Sequence, residues 1–297
     1  MLFSVVSNGD LLAPTQPDAV VPWWSFTKTV LSAAALSLVR DGLIELDEVL
    51  PESSFTLRQL LRHQAGLADY GELAEYHAAV ARGDTAWTTE EMLNRLEASR
   101  LRYPPGTQWR YSNVGYLYVA QLLERLTGLS LEEALKQRVL APLAVPHVSL
   151  ARPGEQLGGI CRGVMPGYDP GWVYHGLLLG TLSDAALLLE GLLSGQLLPR
   201  SLLQEMQTAL VLGGPMPGRP WTAPGYGLGL MIGAVSDGLT LCGHTGSGPG
   251  STVAVYRCAH AGNSASCAVF SEGDDQGAVE AAVLSHLLDV LVIRPGS

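Results

Sequence analysis

Charged residues are scarce in this sequence, and basic residues are scarcer than acidic ones. Only 15% of the 297 residues are charged, and 18 lysines and arginines stand against 28 aspartates and glutamates, which gives a formal net charge of -10. No cluster of lysine or arginine forms a stripe or a tail. Because an acidic surface repels phosphate backbones and anionic lipids, the sequence predicts no nucleic-acid partner and no membrane partner.

The chain also lacks a long hydrophobic run. A membrane-spanning helix needs about 18 or more apolar residues in succession. The two best stretches, residues 30–39 and 176–193, are ended by Arg40 and interrupted by Asp184. Residues 1–7 have no basic segment of the kind that opens a signal peptide. The sequence therefore predicts a cytoplasmic location, or a periplasmic or secreted one if a leader has been removed.

Cysteine is rare as well. The chain has 4 cysteines, and no two of them form a Cys-x-x-Cys pair, so we expect no metal cluster. Two strand-like stretches on either side of Gly262 and Asn263 predict a hairpin with a two-residue turn there. Counting outward from that turn places Cys258 opposite Cys267, at a spacing that suits a disulfide. A reduced pair is the alternative that a cytosolic chain favours.

The order of the predicted elements indicates an α+β fold. Asn8 and Gly9 predict a hairpin of residues 3–7 and 11–13. Helical periodicity follows, at 25–41, 72–82, 88–101, 113–127, 130–139, 183–194 and 200–209, with an extended piece at 43–47. After a Gly/Pro-rich loop at 213–225 come strands at 227–235, 239–245, 251–259 and 264–271 and a helix at about 276–292. Segregated strands and helices are typical of α+β proteins.

Strands at both ends of the chain predict one antiparallel sheet that is flanked by helices. The sheet subdomain is predicted to consist of residues 1–52 and 171–297. Residues 53–170 are predicted to form an inserted, mainly helical subdomain. A cleft between two such units is the usual place for a small-molecule site.

Ser25 and Lys28 form a Ser-x-x-Lys motif at the start of an apolar run that predicts a buried helix. Positions i and i+3 lie on one side of a helix, with side chains about 6 Å apart. A hydroxyl and an amine held in this way form a candidate nucleophile with its own base. A helix cap with a solvated lysine is the alternative, because so short a motif also occurs by chance.

A second motif, Tyr111-Ser112-Asn113, follows a turn and begins a helix. A tyrosine near a lysine ammonium is drawn toward phenolate and can carry protons. Asn113 offers both a donor and an acceptor to an amide substrate. Core packing by Tyr111 and helix capping by Asn113 are the alternative interpretation.

A third motif, His-Thr-Gly-Ser-Gly at residues 244–248, ends a strand pattern. A glycine such as Gly246 lets a substrate approach an exposed strand edge closely. The backbone N–H of Ser247 can then point at a developing oxyanion. A plain glycine-rich hairpin is the alternative. No Gly-x-Ser-x-Gly motif occurs, so an α/β-hydrolase nucleophile elbow is not indicated.

Taken together and in this order, the three motifs resemble the serine β-lactamase and penicillin-binding-protein superfamily. Within it, the chain resembles the class C β-lactamase-like branch, which contains D-alanyl-D-alanine carboxypeptidases, D-aminopeptidases, D-amino-acid amidases and family VIII esterases. Residues 60–67 are similar to the branch's Leu-Leu-x-His-x-Ser-Gly-Leu stretch, and residues 225–229 look like its Tyr-Gly-x-Gly-Trp stretch. The resemblance extends from about residue 3 to residue 290.

The resemblance implies a role for each motif. Ser25 would be acylated, and Lys28 and Tyr111 would share the role of base in an order that stays open. Asn113 would bind a substrate carbonyl, and the backbone N–H groups of Ser25 and Ser247 would form the oxyanion hole. The opposite wall of the binding site would consist of His244, Thr245, Gly246 and Ser247. No metal or cofactor is required.

His244 departs from the class C β-lactamases, which carry lysine at this position. Histidine is only partly charged near neutral pH, which weakens the case for a β-lactamase. The first hypothesis is therefore a serine hydrolase of D-alanyl peptides or D-amino-acid amides. The alternatives are a carboxylesterase, a β-lactamase or an idle ligand-binding scaffold. We interpret His63 as a structural hydrogen-bonding residue and His175 as a candidate substrate contact.

Overall fold

The two ends of the chain join in one antiparallel sheet. A computed structural model describes residues 1–12 and 14–291. Its strands are β1 (Leu2–Ser7), β2 (Asp10–Leu11), β3 (Val20–Pro22), β4 (Ser149–Leu150), β5 (Leu178–Thr181), β6 (Leu210–Val211), β7 (Trp221–Tyr226), β8 (Met231–Val235), β9 (Thr240–Gly248), β10 (Ser251–His260) and β11 (Asn263–Glu272). The large sheet has the order β2-β1-β11-β10-β9-β8-β7-β6, and β3-β5-β4 form a smaller one. The predicted α+β sheet is confirmed.

The first hairpin explains how the N-terminus enters the sheet. Asn8 and Gly9 have φ angles of 48° and 92°, and a type I′ turn requires positive φ at both positions. β1 then lies antiparallel to β11, with Leu2 opposite Phe270. Positions 13 and 292, the predicted ends of the second strand and of the last helix, lie outside the described residues.

Helices fill most of the chain between β3 and β6 and follow β11. They are α1 (Thr27–Arg40), α2 (Leu57–Leu61), α3 (Ala74–Arg82), α4 (Thr89–Arg95), α5 (Asn113–Thr127), α6 (Leu131–Leu135), α7 (Leu182–Leu193), α8 (Arg200–Gln207) and α9 (Gln276–Val290). Thr56 and Thr88 cap α2 and α4 by accepting backbone N–H bonds, as threonine commonly does at the start of a helix.

The large sheet is covered by helices on both faces. Val279 and Leu287 of α9 pack with Val269 of β11 on one face. Leu188 of α7 belongs to the core cluster that contains Phe270 on the other face. Because successive strand residues point to opposite faces, β11 contributes alternately to the two cores.

α1 lies inside the larger of these cores. Every residue from Thr27 to Leu38 is buried, Lys28 among them. A helix that is apolar on all sides is typical of a protein interior, and a charged group there loses its hydration. The helix ends at Arg40, and Gly42 follows with a φ angle of 70°, a left-handed conformation that is common just after a helix.

The prediction of one strand at residues 227–235 is wrong. The structure has two strands here. β8 lies within the predicted range, and β7, which pairs with β8, lies largely in the segment that was predicted as a Gly/Pro-rich loop. Pro224 fits in β7 because its carbonyl faces the short strand β6, where it accepts the Leu212 N–H at 2.8 Å. Its missing N–H therefore falls on the edge side of the sheet, where proline is tolerated.

Two shorter segments also differ from the prediction. Residues 43–47 are not extended, since the Leu43 N–H bonds back to the Leu38 carbonyl at 2.9 Å. The helix predicted at 88–101 ends at Arg95, where Leu96 caps it and turns follow. After α4 the chain turns because Glu97 has a φ angle of 49° and the Ala98 N–H bonds back to the Leu93 carbonyl at 3.0 Å.

The predicted register of the last hairpin is wrong by two residues. The turn consists of Ala261 and Gly262, whose φ angles are 48° and 84°, so His260 lies opposite Asn263. Cys258 therefore faces Ala265, and Cys267 faces Tyr256. All four cysteines have free thiols, and the proposed disulfide does not form.

The division into a sheet subdomain and a helical insert of residues 53–170 stays a prediction. Helices α2 to α6 lie in that range, but so does β4, which pairs with β5 and so joins β3. Over residues 1–12 and 14–291, no helix has the length and apolar character that a membrane crossing demands.

Candidate active site

Ser25 lies in a tight turn that leads directly into α1. Trp24–Phe26 form one 3-10 turn, and α1 begins at the next residue. The preceding Trp24 has a φ angle of 40°, a region that costs a non-glycine residue about 1–3 kcal/mol. Its indole N–H donates to Ser251 Oγ at 3.0 Å, which anchors the turn to β10. The Ser25 hydroxyl is thereby held at a fixed point above Lys28.

Two glycines of β9 let the sheet approach this turn. A Cβ atom on Gly246 would lie 2.6 Å from the Ser25 backbone nitrogen, and one on Gly248 would lie 2.4 Å from the Trp24 ring. β8 pairs with β9 only as far as Gly243. Beyond that residue, the edge of β9 that β8 leaves unpaired lies beside Ser25. This places Ser247 on the strand segment next to the nucleophile. The oxyanion hole of backbone N–H groups stays a prediction.

Tyr111 and Asn113 reach the same point from the start of α5. The Tyr111 hydroxyl donates to Ser25 Oγ at 2.9 Å. Lys28 Nζ lies 3.1 Å from Ser25 Oγ and donates to Asn113 Oδ1 at 2.7 Å. Between them, Ser112 caps α5 by accepting the Gly115 N–H at 3.1 Å. The first two motifs of the sequence thus come together around one hydroxyl group.

Asp69 orients Asn113, which the sequence alone did not indicate. Its Oδ1 accepts the backbone N–H and the side-chain Nδ2–H of Asn113, both at 3.0 Å. The amide oxygen of Asn113 therefore faces Lys28. Burial raises the pKa of the Asp69 carboxyl, although the bonds from Asn113 and the charge of Lys28 oppose that shift. The one signal in the sequence was an acidic residue in an otherwise apolar stretch.

Burial brings the pKa of Lys28 close to neutral pH. Its side chain is fully buried, and the loss of hydration lowers the pKa of the ammonium to about 7, while Asp69 opposes that shift. Half of the amine is therefore neutral near pH 7. Its Nζ also lies 3.1 Å from Nε2 of the buried His175.

Tyr111 is a neutral phenol near pH 7. The sequence predicted that the neighbouring ammonium would draw it toward phenolate, but burial raises its pKa above the usual value for tyrosine. Desolvation is the largest cause of this shift of the pKa; the hydrogen bond with Ser25 opposes it, and the charge of Asp69 adds to it. Tyr111 therefore keeps its phenolic hydrogen and points it at Ser25 Oγ.

His244 is a neutral imidazole, not a partly charged one as the sequence predicted. Burial and the nearby Lys28 lower its pKa to about 3. Its Nδ1–H donates to the Thr245 carbonyl at 2.7 Å, and its Nε2 accepts the Tyr226 hydroxyl at 3.0 Å. His244 therefore presents no cation to a bound substrate.

A buried carboxylate lies behind this wall. Glu280 of α9 is fully buried and forms an ion pair with Arg219. It also accepts the Thr245 hydroxyl at 2.5 Å and the Trp221 indole N–H at 3.0 Å. The charge of Arg219 is thus compensated within the protein, and Thr245 is fixed by a partner that the sequence did not reveal.

A cavity of about 550 Å³ opens beside Ser25. Its lining includes predicted site residues together with a largely apolar remainder: Ser25, Tyr111, Asn113, His244, Thr245 and Ser247 with Trp109, Leu212, Gly213, Gly214, Met216, Arg219, Pro224, Gly225, Tyr226, Met231 and Gln276. The volume is typical of a site for a small molecule. Within the described part of the chain, His, Cys, Asp and Glu side chains form no group of three that could hold a metal ion.

The two other candidate histidines do not line the cavity. His63 accepts the Ser112 N–H on Nδ1 at 3.1 Å, which agrees with a structural role. His175 is 2% exposed and lies behind Lys28. The interpretation of His175 as a substrate contact is not supported, because the ring is buried and does not belong to the cavity lining.

Comparison with known proteins shows what the sequence and the fold of this chain are similar to. The sequence profile of the beta-lactamase family matches residues 1–287. A D-aminopeptidase from Brucella ovis is 29% identical over 262 residues, which are 82% of this chain and 48% of that protein. Lovastatin esterase from Penicillium rubens is 27% identical over 161 residues, which are 44% of this chain and 40% of that protein. The chain thus spans about half, or less, of the length of these two relatives.

A solved structure shares the fold over nearly the whole chain. The D-stereospecific amidohydrolase from Streptomyces sp. superposes with a TM-score of 0.75 at 26% sequence identity, and the match covers 94% of this chain and 92% of that one.

Proposed function

The chain belongs to the beta-lactamase family, and on that premise we propose that it is a serine hydrolase that cleaves amides of D-amino acids through an acyl-enzyme on Ser25. The position of Ser25 carries the proposal. Its Oγ lies 3.1 Å from Lys28 Nζ and 2.9 Å from the Tyr111 hydroxyl, on the wall of the 550 Å³ cavity. A nucleophile that contacts both a base and an acid is what acyl transfer needs.

Ser25, Lys28 and Tyr111 each have a separate task in acylation. The neutral amine of Lys28 accepts the Ser25 proton as Oγ bonds to the substrate's carbonyl carbon. The backbone N–H groups of Ser25 and Ser247 stabilise the oxyanion. Tyr111 then donates its proton to the leaving amine, the C–N bond breaks, and the proton held by Lys28 restores Tyr111.

Hydrolysis of the acyl-enzyme runs through the same groups. A water molecule takes the place of the departed amine and gives a proton to the Tyr111–Lys28 pair as its oxygen attacks the ester carbonyl. The oxyanion occupies the same hole, and the proton returns to Ser25 Oγ when the carboxylic acid leaves. The enzyme ends in its starting protonation state.

The charges in the cavity favour a leaving group that is neutral over one that carries a carboxylate. His244 is neutral because its pKa is lowered to about 3. Arg219, which also lines the cavity, is paired with the buried Glu280. A substrate that ends in a free carboxylate beside the cleaved bond therefore meets no uncompensated cation among the described lining residues. This supports a D-amino-acid amide over a β-lactam or a D-alanyl-D-alanine terminus, in agreement with the names of two relatives.

A carboxylesterase is the second candidate function. The cavity lining includes Trp109, Leu212, Met216 and Met231, and such an apolar wall suits an acyl chain. The lovastatin esterase match supports this alternative. The two candidate reactions differ in their need for a proton from Tyr111. The amine of an amide must be protonated before it leaves, whereas the nitrophenolate of a nitrophenyl ester leaves without a proton.

Hydrolysis assays with matched substrates test the proposal. We propose to compare D-phenylalanine amide with L-phenylalanine amide, and both with para-nitrophenyl butyrate and a fluorescent penicillin. Ser25→Ala is the matched control because it removes one oxygen atom. We expect the D-amide to be cleaved at least about tenfold faster than the L-amide, and Ser25→Ala to be inactive.

Each contrary result identifies a different error. Turnover of the ester with neither amide cleaved would replace the amidase with the esterase. Rapid turnover of the penicillin would contradict the inference from the neutral His244. No turnover and no labelling by any of the four compounds would support an idle scaffold.

A further inference from the structure

Lys28 has two polar partners that the mechanism does not use, Asn113 and His175. Its Nζ lies 3.1 Å from Ser25 Oγ, 2.7 Å from Asn113 Oδ1 and 3.1 Å from His175 Nε2. The nitrogen is bonded to one carbon, so these three atoms occupy its three remaining directions. The side chain is fully buried, which keeps bulk water from replacing any of the three.

The Asn113 contact takes up one N–H of the amine. Asp69 Oδ1 accepts both N–H groups that Asn113 offers to it, from the backbone and from Nδ2. That fixes the orientation of the amide, so the atom that faces Lys28 is an oxygen. An amide oxygen accepts hydrogen bonds and does not donate them.

The Ser25 contact takes up the lone pair. Tyr111 already donates its hydroxyl hydrogen to Ser25 Oγ, and burial keeps Tyr111 protonated by raising its pKa. The hydrogen of Ser25 itself is therefore left to point at Lys28. A neutral amine has two N–H groups and one lone pair, so its second N–H must point at the third partner, His175.

We propose that His175 is a positioning residue: its Nε2 accepts the second N–H of neutral Lys28 and thereby turns the lone pair of the amine toward Ser25 Oγ. This inference rests on the proposed function, because it deepens the role of Lys28 as the base. Without the acceptor at His175, the amine rotates about its Cε–Nζ bond and the lone pair is no longer fixed on the nucleophile.

The contact also determines the tautomer of His175. Its Nδ1 is buried and has no hydrogen-bond partner among the described residues, so Nδ1 does not discriminate between the two neutral forms. Nε2 does, because an N–H there would point at the lone pair of Lys28 and block the base. His175 therefore carries its hydrogen on Nδ1. Burial, and then the charge of Lys28, hold the pKa of His175 well below its usual value, so the ring stays neutral.

Kinetics of two variants at position 175 test the role. His175→Gln keeps an acceptor oxygen near the position of Nε2, and His175→Leu removes it at similar volume. We expect His175→Leu to lower kcat about tenfold to a hundredfold with KM unchanged, and His175→Gln to recover most of that loss. Tyr174→Phe is the matched control, because it removes a bond from the adjacent side chain to the Trp87 carbonyl and leaves Lys28 untouched.

The pH profile separates positioning from a structural effect. The Nε2 acceptor stabilises the Lys28 ammonium more than the amine, since hydrogen bonds from charged donors are stronger. His175→Leu should therefore move the acid limb of kcat/KM to lower pH, by about one unit, while Tyr174→Phe leaves it in place. The other titratable groups that surround Lys28 are unchanged in both variants: Asp69, Tyr111, Tyr116, His63 and His244.

The tautomer offers a readout that needs no substrate. In ¹⁵N-labelled protein, two-bond proton–nitrogen correlations distinguish Nδ1–H from Nε2–H histidine, and the signal of His175 is the one missing from His175→Gln. We expect the Nδ1–H form near pH 7. An Nε2–H form, or a His175→Leu variant with the kcat and acid limb of the wild type, would overturn the proposal.

Failure of this inference is distinguishable from failure of the proposed function. If the wild type cleaves no amide or ester, the proposed function fails, and the tautomer still reports on His175. If the wild type is active through Ser25 and both His175 variants match it, the proposed function stands and the positioning role of His175 falls.

Discussion

Tyr111 donates its phenolic hydrogen to Ser25 Oγ over 2.9 Å. The same burial that raises the pKa of this phenol lowers the pKa of Lys28 to about 7. Two groups on either side of one hydroxyl are thus shifted in opposite senses: the phenol stays protonated, and the amine loses its proton near neutral pH. Desolvation is the largest cause of both shifts, because it favours the neutral form of each group.

Replacement of Tyr111 with phenylalanine should harm amide hydrolysis more than ester hydrolysis. The variant removes the acid that protonates a leaving amine, whereas para-nitrophenolate leaves without a proton. We expect kcat for D-phenylalanine amide to fall about 10²-fold to 10⁴-fold, and kcat for para-nitrophenyl butyrate to fall much less. Equal losses for the two substrates would contradict the assignment of Tyr111 as the acid for the leaving group.

The activity should rise with pH through the pKa of Lys28. The base is active when neutral, so kcat/KM should increase from acid pH to a plateau, with its midpoint at about 7. His244, with a pKa of about 3, adds no limb in this range. The measurement uses para-nitrophenyl butyrate, which has no ionisable amine of its own. A rate that is flat from about pH 6 to 8, or that falls, would show that Lys28 is not the base.

Lys28→Met should stabilise the protein. The folded protein binds the Lys28 proton more weakly than the unfolded chain does, because its pKa is lowered from 10.5 to about 7. Unfolding therefore takes up a proton between these values, and the wild-type free energy of unfolding falls as the pH falls through that window and is lowest below it.

Urea unfolding at several pH values measures this difference. We expect Lys28→Met to exceed the wild type by about 2 to 4 kcal/mol near pH 7, with the gap narrowing as the pH rises. The control is Lys136→Met, at an exposed position, which should follow the pH course of the wild type. A Lys28→Met variant less stable than the wild type at pH 7 would mean that the lost hydrogen bonds outweigh the desolvation of the ammonium.

Gly246→Ala should inactivate the site without unfolding the protein. The added Cβ would lie 2.6 Å from the Ser25 nitrogen and 2.7 Å from the Trp23 carbonyl oxygen, so the turn that carries Ser25 must move away from β9. We expect kcat to fall about 10²-fold or more with an unchanged circular dichroism spectrum. Gly158→Ala, where nothing lies within 4 Å of the added atom, should retain full activity. A fully active Gly246→Ala would argue against the close approach of β9 to Ser25.

Local patterns in the sequence predicted the parts of the fold and site that depend on neighbouring residues. Ser25 and Lys28 are one helical turn apart, so their spacing suffices to bring them together. The turn at Asn8 and Gly9 depends on positive φ angles that those two residues tolerate. The start of α5 was predicted correctly, but its cap is Ser112 and not Asn113, the residue that the alternative interpretation named. The joining of the chain ends rests on the alternation of the strands.

The features that the sequence did not predict are contacts between distant segments. Asp69 and Asn113 are 44 positions apart, and His175 and Lys28 are 147 apart, and no periodicity links such pairs. The protonation of Tyr111 and His244 depends on how deeply the fold buries them, which a spacing does not encode. β7 was predicted as a loop because its segment is rich in glycine and proline. Pro224 is compatible with a strand here because the neighbouring strand on its N–H side, β6, has only two residues.

The central claim is that Ser25 carries the acyl group, and mass spectrometry of the quenched enzyme tests it most directly. The protein is mixed with para-nitrophenyl butyrate, quenched in acid within the first turnover, digested and mapped. We predict one butyryl group, on the peptide that contains Ser25, and none in Ser25→Ala. A butyryl group on any other residue, or turnover that persists in Ser25→Ala, would contradict the claim.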